Sequence, residues 1–294
     1  MKSVTSGPFP VNLRPAATVV VLRDSSRGPE VFMVRRHEGT AFMGGAHVFP
    51  GGRVDAGDHD ADAGWCDGID HAAAQLPGLQ QTLAIAFHVA AARELFEEAG
   101  VLLARDRSGL IASLTDPDVH ARMAHDRHEV HDGRRPLREV IEREGLRLAL
   151  DALVLLAHWV TPPVDTRQFD TRFFITRVPP GQVPAHDETE TTHSSWFTPA
   201  AAIAQAQRGE IILPPPTWTT LRELERFRTV SDAVEWARSR RISRRQPKML
   251  EEGGRRMLVL PGDPRYPEAS DAERPAETCF VLVDKRWRAE PPRT

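Results

Sequence analysis

The sequence predicts an α/β (α+β) fold with a mixed sheet. Short apolar runs rich in β-branched and aromatic residues recur between residues 16 and 283. Helical stretches lie between them, the clearest over residues 83–99, which contain neither Gly nor Pro. Strands and helices interleave along the chain with no internal repeat, as a sheet covered by helices requires. The 294 residues are 40% hydrophobic and 27% charged, which is enough apolar material for a core.

Residues 16–22 (AATVVVL) and 31–35 are expected to pair as a hairpin across the polar stretch 23–30, which carries Gly28 and Pro29. Glycine-rich turns follow at Gly44-Gly45 and at Phe49-Pro50-Gly51-Gly52. Residues 59–82 are rich in Asp, Ala and Gly with little periodicity, and are expected to be an inserted loop with one short helix. The helix over 83–99 stops at Gly100, since glycine tolerates the left-handed backbone of a helix end.

Two helices are expected near 118–130 and 136–144. Strands should follow at 153–161, at 172–178 (RFFITRV) and briefly at Trp196-Phe197. Residues 199–208 are alanine-rich and begin with a proline suited to a first helical turn. After Pro214-Pro215-Pro216 come helices near 219–227 and 231–238, then strand-like runs at 257–260 and 279–283. The expected organisation is a main domain over 1–213 and a C-terminal extension over 214–294 packed on it.

Bulk properties exclude several classes. A net charge of -3 gives no general pull toward nucleic acid or acidic membranes. Cys66 and Cys279 are far apart and in no CxxC pair, so neither a disulfide framework nor a zinc ribbon is expected. The first residues lack the apolar core of a targeting segment, and the apolar stretch near 153–160 is too short to span a bilayer. A cytoplasmic location is the expectation by default.

The chemistry is carried by the run Arg93-Glu94-Leu95-Phe96-Glu97-Glu98-Ala99-Gly100. On a helix, Glu94, Glu97 and Glu98 stand at i, i+3 and i+4 and share one face. Three carboxylates on one stripe repel one another unless water screens them or cations occupy them. Leu95, Ala99 and Val101 imply a helix docked in a core, which favours cations over a solvated acidic face. Hard oxygen donors without sulfur or clustered imidazole suit Mg²⁺ or Mn²⁺. Magnesium is usually held by a few carboxylates together with substrate phosphates. The run Gly51-Gly52-Arg53-Val54-Asp55-Ala56-Gly57-Asp58 adds backbone freedom and further oxygens from Asp55 and Asp58.

Together these runs resemble the signature of the Nudix hydrolase family, G-x5-E-x7-R-E-U-x-E-E-x-G-U, where U is a bulky apolar residue. With Gly52 as the first glycine, Arg93, Glu94, Leu95, Glu97, Glu98, Gly100 and Val101 match the second half in full. Two departures stand out. Asp58 replaces the first Glu and shortens its reach by one methylene. Residues 59–92 are 34 where the pattern allows seven, so 27 are inserted. An insertion at this place, and the phrase from Glu94 to Leu103, resemble the peroxisomal acyl-coenzyme A diphosphatase type. So do His158-Trp159-Val160-Thr161-Pro162, Phe169-Asp170-Thr171-Arg172-Phe173-Phe174, Leu213-Pro214-Pro215-Pro216 and Leu260-Pro261-Gly262-Asp263.

The resemblance implies an α/β/α sandwich and metal-dependent hydrolysis of a diphosphate linkage. Glu97 and Glu98 become the leading metal ligands, with Glu94 as third ligand or orienter of the attacking water. Arg93, Asp58 and Gly100 take structural roles. Family members often use a further Glu from a later loop, and Glu190 is a better candidate than Glu188. Gly51, Gly52 and one of Arg35 and Arg36 are expected to meet the substrate, because guanidinium geometry suits phosphate and neighbours on a strand face opposite sides.

The subfamily resemblance implies coenzyme A or acyl-coenzyme A as substrate, cut to 3′,5′-ADP and phosphopantetheine. ADP-ribose, sugar nucleotides and dinucleoside polyphosphates share the signature. The expected partner is thus a small nucleoside diphosphate derivative, with a homodimer as a further expectation; no Ser-Lys-Leu address ends the chain. A binding or regulatory module that has lost catalysis is the competing reading, motivated by Asp58 and the interrupted signature. His120, His125, His128 and His131 lack zinc spacing, and the basic run from Arg238 to Lys248 reads as a solvated helix end.

Overall fold

A computed structural model of the chain describes residues 13–39, 43–163, 167–187, 191–268, 274–284 and 286–290. The N-terminal hairpin forms as expected: β1 (Arg14–Ser25) and β2 (Gly28–Arg36) pair antiparallel, with Ser25 opposite Gly28. Short strands β3 (His47–Val48) and β4 (Gly51–Arg53) return along β2 and β1. The inserted region is more structured than its composition suggests. It contributes β5 (Cys66–Asp67) and α1 (Ile69–Gln75), and Trp65, Cys66 and Ala72 are buried in the core.

The signature helix α2 (Gln81–Ala99) is followed by β6 (Ala104–Arg105), α3 (Pro117–His131), α4 (Leu137–Arg143) and β7 (Arg147–Ala149). Then come β8 (Val154–Val160), β9 (Phe169–Arg177), β10 (Thr191–Phe197) and α5 (Pro199–Gln207). The C-terminal part carries α6 (Pro215–Leu224), α7 (Val230–Ser239), β11 (Arg244–Arg245), β12 (Lys248–Glu252), β13 (Arg255–Val259), β14 (Cys279–Val283) and β15 (Arg286–Glu290). α6 starts at Pro215, inside the proline run, where the missing N–H costs nothing in a first turn.

The main sheet has the order β10-β2-β1-β9-β8-β11 and is mixed: β1 and β9 run parallel, while β8 and β9 run antiparallel. Its two faces follow from strand alternation. Ala17, Val19 and Val21 point to the core that holds α2, and Val20 and Leu22 point to the core that holds α6 and α7. Helices therefore cover both faces. α2 is buried on nearly all sides, because α1, α3, α4 and the small β5-β7-β6 sheet cover the face turned away from the main sheet.

The strands β12 and β15 escape the sequence reading because their runs, KMLEE and RWRAE, are interspersed with charge. They flank β13 and β14 in a four-stranded antiparallel sheet. The basic run also needs correction. Arg240 and Arg245 are not solvated: their side chains are 6% and 3% exposed, and Glu223 of α6 pairs with them at 3.1 and 2.6 Å. Burial acts to raise the Glu223 carboxyl, but the charges of Arg245 and Arg240 hold it below the ordinary range.

A carboxyl whose folded pKa is depressed stabilises the fold above its unfolded pKa, and that contribution is lost as pH falls through the folded value. Glu223→Gln is expected to cost about 3 kcal/mol at neutral pH, because two buried guanidinium groups lose their shared carboxylate. In urea titrations at pH 7 and pH 3 the gap between wild type and variant should narrow at pH 3. An equal gap at both would contradict the assignment.

Candidate active site

Arg93 is the organising side chain. It leaves α2 and reaches across to the glycine loop, where Nε donates to Asp58 Oδ1 at 2.9 Å and Nη2 donates to Asp58 Oδ2 at 3.0 Å. Nη2 also donates to the Arg53 carbonyl at 2.8 Å, and Nη1 donates to Glu94 Oε1 and Glu97 Oε1, both at 3.0 Å. One guanidinium thus ties the loop to the helix and faces three carboxylates. Asp58 is 2% exposed, and its Oδ2 also accepts the Asp55 N–H at 2.8 Å. The shorter side chain still reaches Arg93 through both oxygens.

The two glycines bring the backbone against these carboxylates. The Gly51 N–H donates to Glu98 Oε2 at 2.9 Å. A Cβ on Gly52 would lie 2.4 Å from Glu94 Oε1, and one on Gly51 would lie 2.3 Å from the Ala17 carbonyl oxygen. Neither position can hold a side chain without moving the site. Gly100 ends α2 with φ at 66° and donates its N–H to the Phe96 carbonyl, while Val101 donates to Leu95, which satisfies the last turn.

Burial dominates the electrostatics. Glu97 and Glu98 are each 6% exposed. Burial pushes the Glu94 carboxyl up to about 8 against the attraction of Arg93, with Glu97 and Asp58 adding repulsion. Glu97 is raised for the same first reason. Burial works to lower Arg93, but its hydrogen bonds to Asp58 and the charges of Glu94, Asp58 and Glu97 keep it above its usual range. Asp58, Glu94 and Glu97 thus share one cation, with the buried Glu98 on the Gly51 amide, a deficit of positive charge that a divalent metal would relieve. The donor set is hard oxygen throughout, which fits Mg²⁺ or Mn²⁺. No three His, Cys, Asp or Glu side chains among the described residues already form a metal cage; Arg93 and the Gly51 amide engage these carboxylates.

The neighbouring arginines divide. Arg35 turns to Glu38, with Nη2 to Oε1 at 2.5 Å. Arg36 lines a cavity of about 330 Å³ that also borders Gly51. Trp159, Pro162, Phe169, Phe173 and Pro214 lie on the same cavity, so phrases that carry the family resemblance outside the signature converge there. Glu188 and Glu190 lie outside the described residues. On either side of them, the Asp187 carboxylate accepts from Thr191 N–H at 2.9 Å and Oγ at 2.7 Å. His120, His125 and His128 are exposed, and His131 sits 4.0 Å from Asp187.

Arg127 of α3 is a positioning residue that sequence reasoning missed. Its Nε donates to the Glu97 carbonyl at 2.7 Å, and Nη2 donates to the Ala185 carbonyl at 2.9 Å. It ties the end of α2 to the segment before Asp187. Nothing in local spacing announces this role, because the contacts are 30 and 58 residues away in sequence.

Fold, buried glutamates and glycine loop together define a Nudix hydrolase, and comparison with known proteins agrees. A family model described as the NUDT19 Nudix domain matches residues 75–226, just over half of the chain, and the chain belongs to that family. It is similar to the human acyl-coenzyme A diphosphatase NUDT19, 29% identical over 317 residues, covering 90% of this chain and 83% of the relative. The Gallus gallus protein of the same name is 29% identical over 283 residues, covering 82% and 74%. Among solved structures, a NUDIX hydrolase from Alicyclobacillus acidocaldarius superimposes with a TM-score of 0.62 at 26% identity, covering 76% of this chain and 96% of that one.

Two sets of variants test the geometry. Arg93→Lys and Asp58→Ala should each lower stability by about 2 kcal/mol, since each removes a buried charge-assisted pair. The double variant should cost clearly less than the sum in denaturant titrations; additivity would show that the two side chains do not act together. Gly52→Ala should abolish activity, whereas Gly57→Ala, where an added Cβ meets nothing within 4 Å, should retain it. Equal activity in both would contradict the close approach of Glu94.

Proposed function

We propose that this enzyme hydrolyses the diphosphate linkage of coenzyme A or an acyl-coenzyme A, releasing 3′,5′-ADP and the corresponding phosphopantetheine. The cluster of Glu94, Glu97 and Glu98 against Gly51-Gly52 is the observation that carries the reaction class. The similarity to proteins named acyl-coenzyme A diphosphatase over most of their length supports the substrate. The reading that catalysis has been lost finds no support, since all three helix glutamates sit beside the loop. The homodimer expectation gains none from the comparisons.

Glu97 and Glu98 are the leading ligands for Mg²⁺ or Mn²⁺, and Glu94 completes the set or orients the attacking water. The metal would neutralise charge on the diphosphate and lower the pKa of the attacking water. The chain's own part is to fix the carboxylates and exclude bulk water. Arg93 holds Glu94 and Glu97 in register with the loop, and the Gly51 amide orients Glu98. Glu94, raised by burial, holds its proton more tightly than an ordinary carboxylate, so it can act as a base only once that proton has been displaced. In the reaction, water oxygen bonds to one phosphorus while the bridging oxygen leaves with the other phosphate. Arg36, on the cavity beside Gly51, is the arginine of the pair placed to meet the substrate, and Glu190 stays a proposed participant from the loop after Asp187.

Glu97→Gln should reduce turnover about 100-fold or more with the melting temperature kept within a few degrees. The assay compares coenzyme A, acetyl-coenzyme A, ADP-ribose, a diadenosine polyphosphate and a sugar nucleotide in Mg²⁺ or Mn²⁺. Turnover confined to ADP-ribose or another non-coenzyme substrate would discard the coenzyme A reading and keep the reaction class. Metal binding to Glu94 must displace its proton, so Mn²⁺ affinity should rise with pH up to about 8, measurable by calorimetric titration. A flat pH dependence would remove Glu94 from the ligand set.

A further inference from the structure

The cavity beside Gly51 is a built feature that the hydrolytic cluster does not itself use. It lies on the sheet face opposite α2, where Phe49, Trp159 and Phe173 belong to the second core. Its floor comes from the main sheet through Thr18, Trp159 and Phe173. Its far wall comes from the C-terminal sheet through Met249 of β12, Leu258 of β13 and Trp287 of β15. Gly51 is the shared boundary. Its N–H meets Glu98, and the residue also borders the cavity, so one residue without a side chain separates the carboxylates from the apolar chamber.

The lining is uneven in a way that selects a ligand. Among the described residues, Arg36 is the only charged one on the lining and none is acidic. The remaining walls are aromatic, aliphatic, prolyl, thioether, hydroxyl or glycyl. A nucleoside carrying an extra phosphate would find one guanidinium and otherwise apolar walls, a poor match for a group with about two negative charges. A neutral, flexible arm with amide carbonyls and an alkyl end fits better. The Arg36 guanidinium and the threonine side chains of the lining bring hydrogen-bond donors for such carbonyl oxygens. The volume of about 330 Å³ falls at the lower end of the range for small-molecule sites.

Resting on the coenzyme A reading above, we infer that this cavity binds the pantetheine arm and acyl chain, and that Trp287 of the C-terminal sheet sets the acyl length accepted. Trp287 also lines a second cavity of about 150 Å³, bounded by Leu213, Trp218 and Ala289. The indole thus stands between the two spaces. A short acyl group ends against it, and removing the ring would open the first cavity into the second. The C-terminal sheet is then a specificity element, acting at one end of a substrate whose diphosphate lies at the other side of Gly51.

The test uses the full chain and measures kcat/KM for coenzyme A, acetyl-, hexanoyl- and dodecanoyl-coenzyme A, with inhibition by 3′,5′-ADP as a readout of the nucleotide end. Met249→Trp, which fills the cavity from a half-buried position, should lower kcat/KM for the acyl esters tenfold or more, leaving 3′,5′-ADP inhibition within twofold. Trp287→Ala should shift the preference toward dodecanoyl-coenzyme A by a similar factor. Because Trp287→Ala also removes core packing, Trp287→Phe serves as a milder second variant that should shift the preference in the same direction by a smaller factor.

An unchanged chain-length profile in all three variants would overturn the inference while leaving the coenzyme A reading intact. Loss of 3′,5′-ADP inhibition in Met249→Trp would also overturn it, by placing the nucleotide in the cavity. A wild-type enzyme that hydrolyses ADP-ribose and no coenzyme A ester would overturn both readings, a result distinct from the other two.

Discussion

The site depends on one guanidinium. Arg93 is the cation placed among Asp58, Glu94 and Glu97, and it binds the loop carbonyl of Arg53 as well. Without it, the glycine loop and α2 would keep the Gly51–Glu98 hydrogen bond but lose the charge that holds Asp58, Glu94 and Glu97 together. A buried charge pair is weak evidence for stability, because desolvation opposes the attraction. Here the value of the pair lies in position. It fixes which oxygens face one another across the loop and helix, at the expense of fold stability if any member is removed.

The surrounding architecture follows from holding that arrangement dry. α2 must be surrounded by apolar matter, and its Ala-rich stretch between Ala84 and Ala92 packs closely on all sides. The main sheet covers one side. The insertion supplies Trp65, Cys66 and Ala72 on the others, so the residues that interrupt the signature help bury the helix that bears it. Arg127 and Asp187 then tie the end of α2 and the later loop into the same body. On the opposite face of the sheet, α6 and the C-terminal strands close the apolar cavity, which Gly51 also borders.

Much of this was legible in the sequence, for local reasons. The spacing of Glu94, Glu97 and Glu98 is a property of one helix, and Gly100 marks its end whatever the rest of the chain does. The mixed sheet was legible because β1, β2, β8 and β9 are dense in β-branched and aromatic residues. The unread part was nonlocal. KMLEE and RWRAE become strands only because β13 and β14 lie between them and offer backbone partners. Arg240 and Arg245 look like solvent-facing charge until α6 brings Glu223 against them. Asp58 looked too short for its place, yet the loop comes close enough for both its oxygens to reach Arg93. The cavity was not legible at all, since its walls come from segments spread from Thr18 to Trp287.

The central claim is that the carboxylates ordered by Arg93 receive a divalent metal beside the glycine loop. An anomalous difference map from crystals soaked in Mn²⁺ measures this most directly. The account predicts a peak bonded to Glu97 and Glu98, with Glu94 or waters in the remaining positions and Arg93 still on Asp58. A peak located elsewhere in the chain, or none at millimolar Mn²⁺ with the site intact, would contradict it.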